Sequence, residues 1–141
     1  MTIEDNKQVV RRFVDEVFVA GRVDAVDELL APAFTPHTWP SVEPGRDSFK
    51  AAMRRMAESL SEVSMTIDDL IAERDRVAVR LTSHAVHSGD FMGMPASGKP
   101  YTISEIHVFR VADGQIAEHW HVADQLGLMR QLGALPRAGG G

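Results

Sequence analysis

Residues 100–124 read "PYTISEIHVFRVADGQIAEHWHVAD", and how this stretch folds back on itself decides what the rest of the chain must build around it. Two runs of alternating apolar and polar residues flank Ala112, Asp113 and Gly114, the pattern of a β-hairpin with a glycine at its tip. His119 and His121 are two apart, so on a strand they point the same way. A three-residue loop, with Gly114 left-handed in a G1 bulge, pairs Val111 with Gln115. His107 then lies opposite His119, and Glu105 opposite His121. One face carries Glu105, His107, His119 and His121 with Ile103 and Phe109 beside them, and the other carries Ile106, Val108, Trp120 and Val122. A two-residue loop would shift the pairing by one, put Trp120 beside His107 and mix the faces.

The earlier sequence supplies what packs on that hairpin. Val9, Val10, Phe13, Val14, Val17 and Phe18 recur at helical spacing between residues 4 and 20, with Arg11, Arg12, Asp15 and Glu16 opposite and Gly21 as a stop. Val23, Val26, Leu29 and Leu30 form a second, shorter helix closed by Pro32. Residues 31–45 hold four of the seven prolines, which predicts a fixed irregular segment, neither helix nor central strand. Phe34, His37 and Trp39 in that segment are expected at the rim or lid of a cavity. A third helix follows over about residues 46–60, with Phe49, Met53, Met56 and Leu60 on one stripe. Strands over 64–73 and 75–91 meet near "RDR", "MGMPASGK" is a loop, and "QLGLMRQLG" is a short last helix. Helices grouped before strands predict an α+β fold, with three N-terminal helices on one face of a curved antiparallel sheet. Residues 1–136 are expected to form one domain and 137–141 a disordered tail.

Composition removes several functions. The chain has 141 residues, a formal net charge of −5 and no cysteine. That excludes thiolate chemistry and disulfides, and the scattered Lys and Arg speak against nucleic acid. No apolar run is long enough for a membrane span, and the charged start lacks the pattern of a secretory signal, so a cytoplasmic location is expected.

A Glu and three His on one face are costly to bury without a reason. A single histidine of this kind is usually structural, hydrogen-bonded to a carbonyl or carboxylate. An H-x-H strand beside a third His also suits a three-histidine metal site with an open position, although a Glu opposite serves equally to fix a tautomer. The third reading is general acid–base chemistry, with Glu105 orienting His121.

"GDFMGMPASGK", "HVFRVADGQIAEHW" and "DQLGLMRQLG", together with the opening "VVRRFVDEVFVAGRVDAVDELLAPAF", resemble the SnoaL-like polyketide cyclases, or ester cyclases, of the NTF2-like superfamily. The resemblance implies an NTF2-like α+β cone enclosing a pocket, and intramolecular aldol chemistry without metal or organic cofactor. It also implies an acid/base aspartate on the last strand, a position that His121 occupies here. His107 matches the family's histidine on the preceding strand, Glu105 replaces a glutamine, and Pro36 and His37 stand where the family offers an asparagine. The expectation is therefore a cofactor-free enzyme acting on a small or polycyclic carbonyl compound. Its catalytic residues are expected to be His121, Glu105 and His107, with Glu105 making His121 a stronger base than a lone aspartate. His119, His37, Trp39, Phe34, Phe13 and Phe91 are expected to bind a hydrophobic small molecule, with no metal. The alternative is a non-catalytic binding protein of the same fold. In either case the face of Ile106, Val108, Trp120 and Val122 is expected to pair two copies in a homodimer.

Overall fold

In a computed structural model that describes residues 1–91 and 93–134, the chain begins with a reciprocal cap. Thr2 Oγ1 accepts from the Asp5 amide at 3.0 Å, and Asp5 accepts from the Thr2 amide at 2.9 Å, which satisfies two donors that a helix start leaves open. The helix α1 (Ile3–Arg12) then widens into a π-helical segment over Phe13–Val19. The Ala20 amide bonds back five residues to the Asp15 carbonyl, and Gly21 ends the run at φ 68°. The sequence pattern predicts one continuous α-helix here. The wider turn leaves Phe13, Val14 and Val17 buried while Phe18 reaches the strand histidines, in keeping with the tendency of π-segments to sit at functional sites.

A 3₁₀ turn (Val23–Ala25) and α2 (Val26–Leu29) follow, tied to α1 by Arg12, which bridges Glu16 and Glu28. The proline-rich segment is partly regular. Leu30–Pro36 forms β1, an edge strand running parallel to β5 (Gln115–Ala123). Prolines are admissible there because an edge strand has one side with no ladder to donate to. The sheet is therefore mixed, in the order β1-β5-β4-β3-β2, with β2 (Leu60–Glu73), β3 (Arg76–His87), β4 (Pro100–Ala112) and β5 antiparallel. Register breaks between Ser61 and Ser64 and between Ile67 and Asp69 bend β2, the usual effect of unpaired extra residues.

Helix α3 (Arg46–Ser59) matches its expected span. With α1 it fills one side of the sheet, where Phe13 meets Phe49 at 5.9 Å and Phe109 at 5.5 Å, and Phe34 meets Phe49 at 5.1 Å. Phe34 is thus fully buried in the core and does not stand at a rim. A second apolar cluster, of Ala85, Tyr101, Ile103, Leu128 and Leu132, packs the last helix α4 (Gln125–Gln131) onto the sheet. The tail expected over 137–141, and Met92 of the loop, lie outside the described residues.

The β4–β5 hairpin departs from its expected register in an instructive way. The turn has two residues, Asp113 and Gly114, both at positive φ (52° and 78°), so Ala112 pairs with Gln115, as a type I′ turn requires. On its own that would shift the pairing by one and mix the faces. A bulge between Arg110 and Val111 on the ladder shifts it by one more, so His107 faces His121 and Phe109 faces His119. The total shift from the expected pairing is two residues. Because side chains alternate with period two, the faces come out as expected while the partners change.

Candidate active site

The inner face of β4–β5 carries a line of hydrogen-bonded histidines. Glu105 accepts from His107 Nε2 at 2.8 Å, and His107 Nδ1 lies 2.8 Å from His119 Nε2. An ionised carboxylate only accepts, so His107 carries a proton on Nε2, and as a neutral ring it receives another hydrogen bond at Nδ1 from His119 Nε2–H. That leaves His119 Nδ1 as a bare acceptor, buried without a partner among the described residues. The Glu105–His121 dyad expected from the sequence is not formed. The register shift puts Ala123 opposite Glu105, and the carboxylate turns to the histidine two residues along its own strand.

His121 is instead held by Thr38. The Thr38 hydroxyl accepts from the His121 amide at 2.9 Å and lies 2.6 Å from His121 Nδ1. The chain reaches this point because β1 runs beside β5 and His37 donates its amide to the His119 carbonyl at 2.9 Å. Thr38 escaped the sequence reading, since nothing in "HTW" says which of the three side chains turns inward. Around the imidazoles stand Phe18, at 5.4 Å from His107, and Trp39, at 5.3 Å from His121. Trp39 Nε1 is a buried donor with no partner among the described residues.

This environment favours uncharged rings. Burial, then the proximity of His107 and His121, holds His119 well below the ordinary imidazole range. Burial, then His107, lowers His121 from 6.5 to about 4, with Glu105 only partly opposing the change. His121 is accordingly a weaker base than the sequence reading expects, and Glu105 does not strengthen it through a direct bond.

The remaining expected binding residues divide. Trp39 and His119 stand at the cluster. Phe13 lies beneath it, fully buried against Phe109 and Phe18. His37 faces outward, with Nε2 at 2.9 Å from Glu118 and its ring stacked on Trp120 at 4.7 Å. Phe91 makes its aromatic contact with His87 and packs on the second cluster. Arg80 lies on the outer face, paired with Asp69.

Residues 8–132 match the family described as SnoaL-like polyketide cyclase. An aklanonic acid methyl ester cyclase, DnrD, of Streptomyces peucetius is 33% identical over 132 residues, covering 89% of this chain and 88% of that protein. A nogalonic acid methyl ester cyclase of Streptomyces nogalater is 30% identical, with 82% and 89% covered. The structure of TsrD from Streptomyces laurentii superposes with a TM-score of 0.88 at 35% identity, covering 96% of this chain and 99% of that one. The architecture is the NTF2-like α+β cone.

Proposed function

The chain belongs to the SnoaL-like polyketide cyclase family, and on that premise we propose that it closes a ring on a polyketide-type ester, with His121 as the proton acceptor and donor. The observation that carries the proposal is the placement of His121 on the inner face, with its Nδ1 2.6 Å from Thr38 Oγ1 and its ring 5.3 Å from Trp39. The resemblance assigns this position to an aspartate, and an aspartate ordinarily titrates near 3.9. Burial, then His107, lowers the imidazole to about 4, toward that range.

Thr38 Oγ1 has one lone pair taken by the His121 amide and a second to accept Nδ1–H, a tautomer that leaves Nε2 with its lone pair free. In the proposed reaction a C–H bond of the substrate breaks, its proton passes to Nε2, and the electron pair forms an enolate. The enolate carbon attacks a second carbonyl of the same molecule to make the C–C bond. The imidazolium then returns the proton to the new alkoxide, so no oxidant or reductant is consumed. A base this weak suits only a carbon flanked by two carbonyls, as in a β-keto ester. The unpartnered Trp39 Nε1–H is the donor we assign to the enolate oxygen. His107 and His119 already bond each other, and we read them as keeping His121 neutral and dry instead of polarising the carbonyl. The methyl esters in the relatives' names fit this substrate class.

Residues 1–136 are proposed to act as one domain. Ile106 and Val122, 46% and 67% exposed on the outer face, support the homodimer, which elution at monomer size in gel filtration would contradict. No described helix is long and apolar enough to cross a membrane. The test of the reaction is hydrogen exchange followed by NMR, with a panel of β-keto esters in D₂O and chelator-treated protein. Exchange at the acidic carbon above buffer, lost in His121→Gln, is expected. Exchange equal to buffer with every ester would contradict the proposal and leave a binding protein.

A further inference from the structure

We propose that His107, His119 and His121 together form a binding site for one divalent transition-metal ion, Zn²⁺ in particular. One ring nitrogen from each lies within 4.8 Å of those of the other two. Zinc bonds imidazole at about 2.0–2.1 Å, which sets tetrahedral nitrogens about 3.3–3.4 Å apart. The hydrogen-bonded pair His107 Nδ1–His119 Nε2 stands at 2.8 Å, shorter than that value, so this pair must open and the three near-parallel rings must turn toward a common point as the ion enters.

The outer contacts carry the inference further than the cluster alone. Metal-bound histidines almost always give their far N–H to an oxygen, most characteristically a carboxylate, which fixes the tautomer and turns the other nitrogen to the ion. His107 does this with Glu105, and His121 with Thr38. His119 is the exception: it is fully buried, and among the described residues its Nδ1 has no oxygen to receive a proton. When Nε2 turns from His107 to the ion, its proton moves to Nδ1, so the ring stays neutral and no net proton is lost. The Glu105 carboxylate supplies one negative charge against the ion's two positive ones, and Phe18, Phe109 and Trp39 limit the water around it. Three nitrogens leave a fourth position for water or a ligand oxygen.

This site does not depend on the reaction proposed above, and it competes with it, because the ion takes the His121 lone pair that would accept a proton. The test uses chelator-treated full-length protein titrated with Co²⁺ and followed by visible absorption. One equivalent is expected to give the intense bands of a four-coordinate ion, and Zn²⁺ to displace it. His121→Gln, shown to be folded by circular dichroism, is expected to lose those bands. Glu105→Gln is expected to weaken binding by about 10–100-fold while leaving one site. Weak, non-saturating binding, only the pale spectrum of a six-coordinate ion, or bands unchanged in His121→Gln would overturn the proposal. None of those results would bear on the ester exchange measured without metal, and failure of that exchange would not bear on the Co²⁺ spectrum.

Discussion

The two faces of the β4–β5 hairpin hold comparable numbers of polar groups under opposite conditions. On the outer face Glu118 accepts from both Arg110 and His37, Arg76 sits over the Trp120 ring at 4.7 Å, and these groups keep contact with water. The hydrogen bond from Arg110, then that from His37, lowers the Glu118 carboxyl against the opposing effect of burial. On the inner face His119 and His121 are lowered because burial leads and no direct cation–anion bond answers it. The same strands thus carry a solvated, forgiving face with its Arg–Glu pair and a buried, demanding one in which a carboxylate meets a line of histidines, with His119 and His121 held below their ordinary range.

That contrast sets an order of expected effects. Phe109 is fully buried and lies against Phe13, His107 and His119. Phe109→Ala is expected to cost about 3–5 kcal/mol in urea unfolding, the range for a large buried aromatic. A loss under 1 kcal/mol, about the size of a surface change, would mean that the inner face is not the packed layer described. Next comes Glu105→Leu, which leaves His107 Nε2–H buried without an acceptor; a loss of about 1–3 kcal/mol is expected. On the outer face Arg110→Ala is expected to cost at most about 1 kcal/mol, and less in high salt, because partly exposed ion pairs are weak and screened. If Arg110→Ala proved worse than Glu105→Leu, the comparison between the faces would be broken.

The sign of the pH dependence follows from the inner face alone. His119 and His121 are both lowered on folding, His121 to about 4, so below the ordinary 6.5 the unfolded chain binds more protons. The stability they permit is complete above about 6.5 and is lost progressively as pH falls, the share of His121 through about 4. Urea midpoints measured from pH 8 to 4 are expected to fall across that window.

Much of this was legible in residues 100–124. Alternation alone sorted Glu105, His107, His119 and His121 onto one face. It could not choose partners, because the "ADG" tip admits two- and three-residue turns and a bulge leaves no mark in composition. An error of two residues is invisible to a period of two, so the faces survived while the Glu105–His121 dyad did not. β1 was hidden because prolines argue against strands in general but not against an edge. Thr38 and Phe18 reach the histidines through that edge strand and through a π-turn, and neither a parallel pairing nor one extra residue per turn is written in hydrophobic spacing. The proposed base was placed by resemblance. The lowering of its imidazole was not legible there, because burial, which leads it, is a property of the packed molecule.

The most direct test of the account is a titration of the histidine side-chain nitrogens by ¹⁵N NMR between pH 3 and 8, with His121 assigned through His121→Gln. A midpoint near 4, with a neutral ring at pH 7 and Nε2 unprotonated, is the expected result. A midpoint at or above 6.5 would contradict it, because the imidazole would then not stand in for an aspartate at that position.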